Sequence, residues 1–279
     1  DLARALEQRV PGLKNLLGFG PSKVGDDYLA LAAGFPPKPL LAPDVSPDDV
    51  ASVNFTGGTT GKPKGVMSTY SVTSYMTQIQ LAEWEFPDEL RMLIATPLSH
   101  AAAAFLIPVL QKGGAFYVMQ RFNPVAFFDM VEQHRITCTM LVPVMLYSLL
   151  DSPRAATADM SSMETIFYGA SPVSPAPLQE GIRKWGSIFY QFYGQSECPM
   201  VVANMRKAEH DLTRPQRLAS CGRPSPWIHL SLRDPQGREV AKGAAGEICI
   251  RGPLVMKGYK DMPEQTAEAF AGGWLHTGD

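Results

Sequence analysis

Residues Asn54 to Val66 read Asn-Phe-Thr-Gly-Gly-Thr-Thr-Gly-Lys-Pro-Lys-Gly-Val, with four glycines, three threonines and two lysines behind a short apolar run. Glycines let successive backbone N–H groups converge on an anion without Cβ interference, while hydroxyl and ammonium groups add donors and charge. The chemistry on offer is phosphate binding, through Thr56, Gly57, Gly58, Thr59, Thr60, Gly61 and Lys64. The common nucleotide pattern G-x-x-x-x-G-K-[ST] fails here: Thr56 replaces its first glycine, and Pro63 stands where a magnesium-binding hydroxyl is required. A phosphate loop of another kind is expected, and a surface turn is the plainer alternative.

Three further stretches carry polar groups at the ends of apolar segments. Tyr190-Gln-Phe-Tyr193-Gly194-Gln-Ser196-Glu197 places a hydroxyl beside a carboxylate, an oxygen pair suited to magnesium phosphate. It follows a predicted strand, where open α/β sheets bind their ligands. Phe167-Tyr-Gly169-Ala170-Ser171-Pro172 supplies small residues past which a flat ligand could approach, although a tight strand-to-helix connection needs the same residues. Pro97-Leu-Ser-His100 ends in a histidine able to donate a hydrogen bond to a carboxylate or to form a pocket wall. No sequence neighbour of His100 serves as an acid–base partner.

The glycine–threonine run resembles the phosphate loop of the acyl-adenylate-forming enzymes, which include acyl-CoA synthetases, luciferases and the adenylation domains of peptide synthetases. That loop usually reads Thr-Ser-Gly-Thr-Thr-Gly-x-Pro-Lys-Gly, so Gly57 occupies its serine position. Tyr193 to Glu197 is similar to the family's Tyr-Gly-x-Thr-Glu, with Ser196 in place of threonine. The resemblance implies that Glu197 helps coordinate magnesium, Ser196 contacts the α-phosphate, Tyr193 stacks beside adenine, residues 169–171 line adenine and the acyl pocket, and His100 lies near the carboxylate substrate. Weaker likenesses follow in Cys221 to Pro224, in Gly246 to Pro253, and in Gly258-Tyr259, Thr266 and Gly273 to Asp279. In the last, the Asp279 carboxylate would accept both ribose hydroxyls, whereas Glu247 and Trp274 are expected to be structural.

The reaction so implied has two steps. A carboxylate attacks the α-phosphorus of ATP to give an acyl-adenylate and pyrophosphate, and the thiol of coenzyme A then displaces AMP. The first step needs phosphate charge neutralised and two anions aligned, work assigned to the loop amides, Thr59, Thr60, Lys64, His100 and magnesium on Glu197. No enzyme nucleophile is required, which agrees with the lack of a recognisable Ser-His-Asp or Cys-His pattern. Apolar residues such as Phe105, Phe127, Phe128 and Met140 favour a fatty or other hydrophobic acid. An adenylation domain for an amino or aryl acid, and a non-catalytic nucleotide-binding descendant, stay open beside this reading. The family carries a hinge and a small lysine-bearing domain beyond the Thr-Gly-Asp run, so residues 1–279 alone are expected to lack full activity.

The 279 residues suffice for a substantial core, and 45% hydrophobic with 19% charged residues describes an ordinary globular protein. A formal net charge of -2 argues against an extended nucleic-acid surface. The four cysteines, Cys138, Cys198, Cys221 and Cys249, form no C-x-x-C pair and no Cys/His cluster at metal-ligand spacing. Reduced thiols in a cytoplasmic protein are therefore expected, without structural zinc or disulfides. No apolar run is long enough to span a bilayer. Expected partners are the small-molecule acid, ATP and coenzyme A, with a homodimer possible.

The elements that must position these residues follow from periodicity. Prolines and glycines crowd residues 1–47, predicting a connecting segment with short helices. Residues 48–215 alternate strand and helix, predicting an α/β fold: a layered, parallel-rich sheet with flanking helices, with Val50 to Phe55 as the strand feeding the phosphate loop. Ala101 to Leu110 is predicted helical, shortened or bent by Pro108. Residues 216–279 lose this alternation and predict part of a β-rich subdomain ending at the nucleotide site.

Overall fold

The structure, a computed structural model, describes residues 2–19, 25–38, 43–56 and 63–279. The chain divides into two compact units, Asp1–Val45 and Ser46–Asp279. In the first, breakers leave only short pieces: α1 (Leu2–Arg9), the parallel pair β1 (Leu17–Gly18) and β2 (Asp26–Asp27), and α2 (Tyr28–Ala33). The Asp27 carboxylate caps α2 by accepting from the Leu29 and Ala30 amides at 2.9 and 3.3 Å.

The second unit opens with β3 (Val50–Thr56), β4 (Lys64–Thr69) and α3 (Tyr70–Glu83), and continues through β5 (Arg91–Ile94), a 3₁₀ turn (Ala101–Phe105), α4 (Leu106–Gln111), β6 (Ala115–Val118), α5 (Pro124–His134), β7 (Cys138–Leu141), α6 (Pro143–Leu150), β8 (Thr165–Tyr168), α7 (Pro175–Trp185) and β9 (Phe189–Gln195). After β9 the strands dominate: β10 (Cys198–Met205), β11 (Arg223–Pro224), β12 (His229–Arg233), β13 (Glu247–Arg251) and β14 (Gly258–Tyr259), then α8 (Pro263–Ala269) and β15 (Leu275–His276). The 101–110 stretch splits into the 3₁₀ turn and α4, with Pro108 inside α4.

The central sheet has seven strands in the order β11-β10-β9-β8-β7-β5-β6. From β9 to β6 all neighbours are parallel, while β10 and β11 extend the sheet antiparallel at its far edge. Strands β7 and β8 are buried along their whole length, as parallel strands covered on both faces must be. Their alternating side chains feed two cores. Met92, Cys138, Phe167 and Tyr190 pack on one face with Ile79 of α3 and Val109 of α4. Leu93, Leu141, Ile166 and Phe189 pack on the other with Phe128 of α5, Leu146 of α6 and Leu178 of α7.

Two features depart from the sequence-based expectation. Strand β3 does not join the parallel sheet: it pairs antiparallel with β4 in a separate sheet ordered β14-β4-β3. The lysine, glycine and hydroxyl residues of β4 hide a strand whose Gly65, Val66, Ser68 and Thr69 are nevertheless buried. Similarly, β9 runs on through Tyr193 to Gln195 and turns back into β10, so the Tyr-Gly-x-Ser-Glu stretch sits on an antiparallel hairpin rather than in a loop after the strand. Expected antiparallel pairing of β12 with β13 is present, and β15 extends that sheet. All of these sheets lie within the one compact unit Ser46–Asp279.

Candidate active site

Parallel topology brings the ends of β5, β8 and β9 to one edge of the central sheet, and the segments leaving those ends line a cleft of about 1160 Å³. His100 follows β5, Ala170 follows β8, and Gly194, Ser196 and Glu197 occupy the β9–β10 hairpin; all five line the cleft. Thr56 and Lys64 reach it from the small sheet, where they are cross-strand partners on either side of the glycine–threonine run. Gly57, Gly58, Thr59, Thr60 and Gly61 lie outside the described residues. Helices α3 and α8 contribute Thr73, Met76, Gln265 and Glu268.

At the centre of the polar wall stands Tyr259. Its hydroxyl donates to Glu197 Oε1 at 2.9 Å, and its ring lies under the Lys64 ammonium, with Nζ 4.8 Å from the centroid. Burial, followed by the neighbouring Glu197 charge, pushes the Tyr259 phenol above its ordinary pKa, so it is a donor throughout the physiological range. Glu197 is also tied through its backbone, its carbonyl accepting from the Met256 amide at 2.8 Å. Its Oε2 takes no hydrogen bond from a described residue. That carboxylate oxygen and the hydroxyl of the preceding residue, Ser196, both on the cleft, are hard-oxygen donors of the kind that fits a magnesium ion. Tyr259 belonged to a noted motif, but its role as the link between Lys64 and Glu197 depends on pairing of β14 with β4.

Residues 169–171 divide their work. Gly169 is buried against the next strand, where a Cβ would lie 2.3 Å from the Phe192 carbonyl oxygen, so its smallness serves strand packing. Ala170 is exposed to the cleft and held at φ +66°, an unusual conformation for an L side chain. Ser171 is exposed and is not among the cleft-lining residues. His100 is likewise exposed and caps the 3₁₀ turn without a side-chain hydrogen bond.

Tyr193 and Asp279 meet at 2.6 Å, the phenol donating to Oδ2. Burial, reinforced by this bond, pushes the Tyr193 phenol well above its ordinary range. Nearby, Glu247 and His276 line the cleft, and Cys249 lies beneath them. Burial disfavours charge on Glu247, yet bonds from His276 and the Gly278 amide together hold its carboxyl below the ordinary value. Trp274 is packed between the guanidinium groups of Arg233 and Arg251, 4.4 and 4.1 Å from its ring centroid.

The profile of the AMP-binding enzyme family matches residues 4–260. The chain is 49% identical over 284 aligned residues to a medium/long-chain-fatty-acid–CoA ligase, FadD8, of Mycobacterium tuberculosis, covering 100% of this chain and 49% of that protein. It is 38% identical over 263 residues to a feruloyl-CoA synthase of an Amycolatopsis species, covering 90% of this chain and 52% of that one. Among solved structures, the amide bond synthetase McbA of Marinactinospora thermotolerans superimposes with a TM-score of 0.89 at 33% identity, over 99% of this chain and 55% of McbA. The chain therefore spans about half the length of the relatives it matches. With its sheet topology and cleft in agreement, this chain belongs to the AMP-binding enzyme family.

Proposed function

We propose that the full-length protein is an ATP-dependent acid–CoA ligase acting on a fatty or other hydrophobic carboxylic acid. The reading rests above all on the convergence of Lys64, Ser196, Glu197 and His100 on one cleft. Lys64 supplies positive charge to the phosphates, Ser196 donates to the α-phosphate, and the Gly57–Gly61 run cradles the phosphate chain together with Thr56, Thr59 and Thr60. Ala170, Tyr193 and Gly194 flank the adenine, with Gly169 packing the strand end beneath them, and Asp279 accepts from the ribose. His100 holds the acid's carboxylate. Magnesium held by Glu197 would supply charge neutralisation at the phosphates. Similarity to the FadD8 ligase supports an acyl acid and coenzyme A as the co-substrates.

Aryl acids form a second reading, favoured by the similarity to the feruloyl-CoA synthase. Thioester formation by the full-length protein across a panel of fatty, aryl and amino acids separates the two. Acid-dependent AMP release with CoA-thioester from a fatty acid supports the proposal; ATP binding with no acid-dependent AMP release from any panel member would refute it and indicate a non-catalytic descendant. Because the chain spans about half of its relatives, residues 1–279 alone are expected to perform little pyrophosphate exchange. No helix among the described residues is long and apolar enough to cross a membrane. Four widely spaced cysteines without a C-x-x-C pair favour a reducing, cytoplasmic setting.

A further inference from the structure

Antiparallel pairing of β13 with β15 sets Cys249 directly opposite His276, and the two-residue period of a strand puts Glu247 on the same face as Cys249. The ligand atoms Glu247 Oε2, Cys249 Sγ and His276 Nδ1 all lie within 4.8 Å of one another. His276 Nδ1 is their common focus, 2.7 Å from Oε2 and 3.5 Å from Sγ. We propose that Glu247, Cys249 and His276 form a binding site for a borderline-soft divalent cation, zinc being the best match, at the wall of the cleft.

The outer partners prepare each ligand. His276 Nε2 lies 3.2 Å from the Ala271 carbonyl oxygen, which only accepts, so Nε2–H donates there, and Nδ1, facing the carboxylate and thiol, is the nitrogen that would exchange its hydrogen bond to Glu247 for the metal. A carbonyl-bound far nitrogen is the usual support of a metal-ligating histidine, and ligating carboxylates are themselves hydrogen-bonded. Glu247 meets this second condition, Oε1 accepting from the Gly278 amide at 2.9 Å.

Dimensions agree with tetrahedral zinc. Bonds of about 2.3 Å to sulfur and about 2.05 Å to nitrogen place those ligand atoms roughly 3.5 Å apart, and the corresponding nitrogen–oxygen separation is roughly 3.4 Å. The sulfur–nitrogen distance already has this value, and the carboxylate needs to withdraw by under 1 Å (~0.7 Å) to reach it. Glu247 and His276 are partly open to the cleft, so an ion has an entry path although Cys249 is fully buried. A sulfur, nitrogen and oxygen set selects zinc over magnesium, which separates this site chemically from Glu197.

Cobalt(II) titration of chelator-treated full-length protein tests the site. Binding of one equivalent should produce the intense visible absorption of tetrahedral cobalt and a near-ultraviolet thiolate-to-cobalt charge-transfer band, both erased by zinc. Cys249→Ser should lose the charge-transfer band while keeping its far-ultraviolet circular dichroism. Absence of that band in the unmodified protein overturns the proposal, as does its survival in Cys249→Ser, which would trace it to another thiol. Should Cys249→Ser not fold, His276→Gln carries the test: cobalt affinity should fall at least about tenfold, and unchanged affinity overturns the proposal.

Discussion

The Tyr259 hydroxyl lies 2.9 Å from Glu197 Oε1 and joins the small antiparallel sheet to the hairpin of the central sheet. Its ring also faces the Lys64 ammonium. One side chain thereby orients both the proposed magnesium carboxylate and the proposed phosphate-binding lysine. Tyr259→Phe removes only the bond to Glu197, and a hydrogen bond to a charged group is worth about 1.5–3 kcal/mol. Carboxylate-dependent pyrophosphate exchange by the full-length protein should fall roughly 10- to 100-fold. Exchange at the unmodified rate would mean that Glu197 needs no such support.

Tyr193 and Asp279 give a prediction about nucleotide affinity. Tyr193→Phe leaves the ring and removes the 2.6 Å bond that orients the Asp279 carboxylate. The expected result is a KM for ATP raised about tenfold, equivalent to about 1.4 kcal/mol, with a smaller change in kcat. A fall in kcat at constant KM would place Asp279 away from the ribose. Thermal stability should change little, because Asp279 is exposed.

Gly169 and Ala170 are adjacent yet should respond oppositely to a change of one methyl group. Gly169→Ala drives a Cβ to 2.3 Å from the Phe192 carbonyl oxygen and should lower unfolding free energy by about 1–3 kcal/mol. Ala170→Gly relieves a left-handed residue at φ +66° and should be neutral or stabilising by up to about 1 kcal/mol. Urea denaturation of both variants checks the pair. Equal destabilisation would show that the Ala170 methyl packs more productively than its backbone suggests.

His210 supplies a pH dependence. The imidazole is buried, with Nδ1–H donating to the Arg206 carbonyl at 2.9 Å and Nε2 accepting from the Tyr168 hydroxyl at 2.8 Å. Burial holds its pKa below the ordinary 6.5 despite the opposing backbone bonds. The unfolded chain therefore binds more protons than the folded one between the depressed pKa and 6.5. This contribution to stability is complete above that upper limit and lost as pH falls toward the folded-state value. Denaturant midpoints measured from neutral pH downward should decline for the unmodified protein and decline less for His210→Asn. Identical slopes would assign the acid sensitivity to the carboxylates.

Much of the α/β body was legible in the sequence because each element carries its own period. Helices α5, α6 and α7 announce themselves by proline at the first turn and apolar residues at helical spacing, and β7 and β8 by apolar runs of strand length. Phosphate chemistry was an expectation from residue type in the glycine–threonine run, and for the Ser196–Glu197 pair from the family resemblance read beside that run. Strands β4 and β10 were obscured, since Lys64, Gly65 and Pro199 are poor strand residues whose places are decided by partners distant in sequence.

Pairings across those partners were what only the tertiary structure decided. Residue types and local spacing determined which groups could bind phosphate, and the order in which strands and helices would follow. The hydrogen-bonded ladder between β14 and β4 decided that Tyr259 would meet Lys64, and the ladder between β13 and β15 decided that Cys249 would face His276, 27 residues away. A strand's period is written in its own side chains, but its neighbour is chosen by register and burial over the whole sheet.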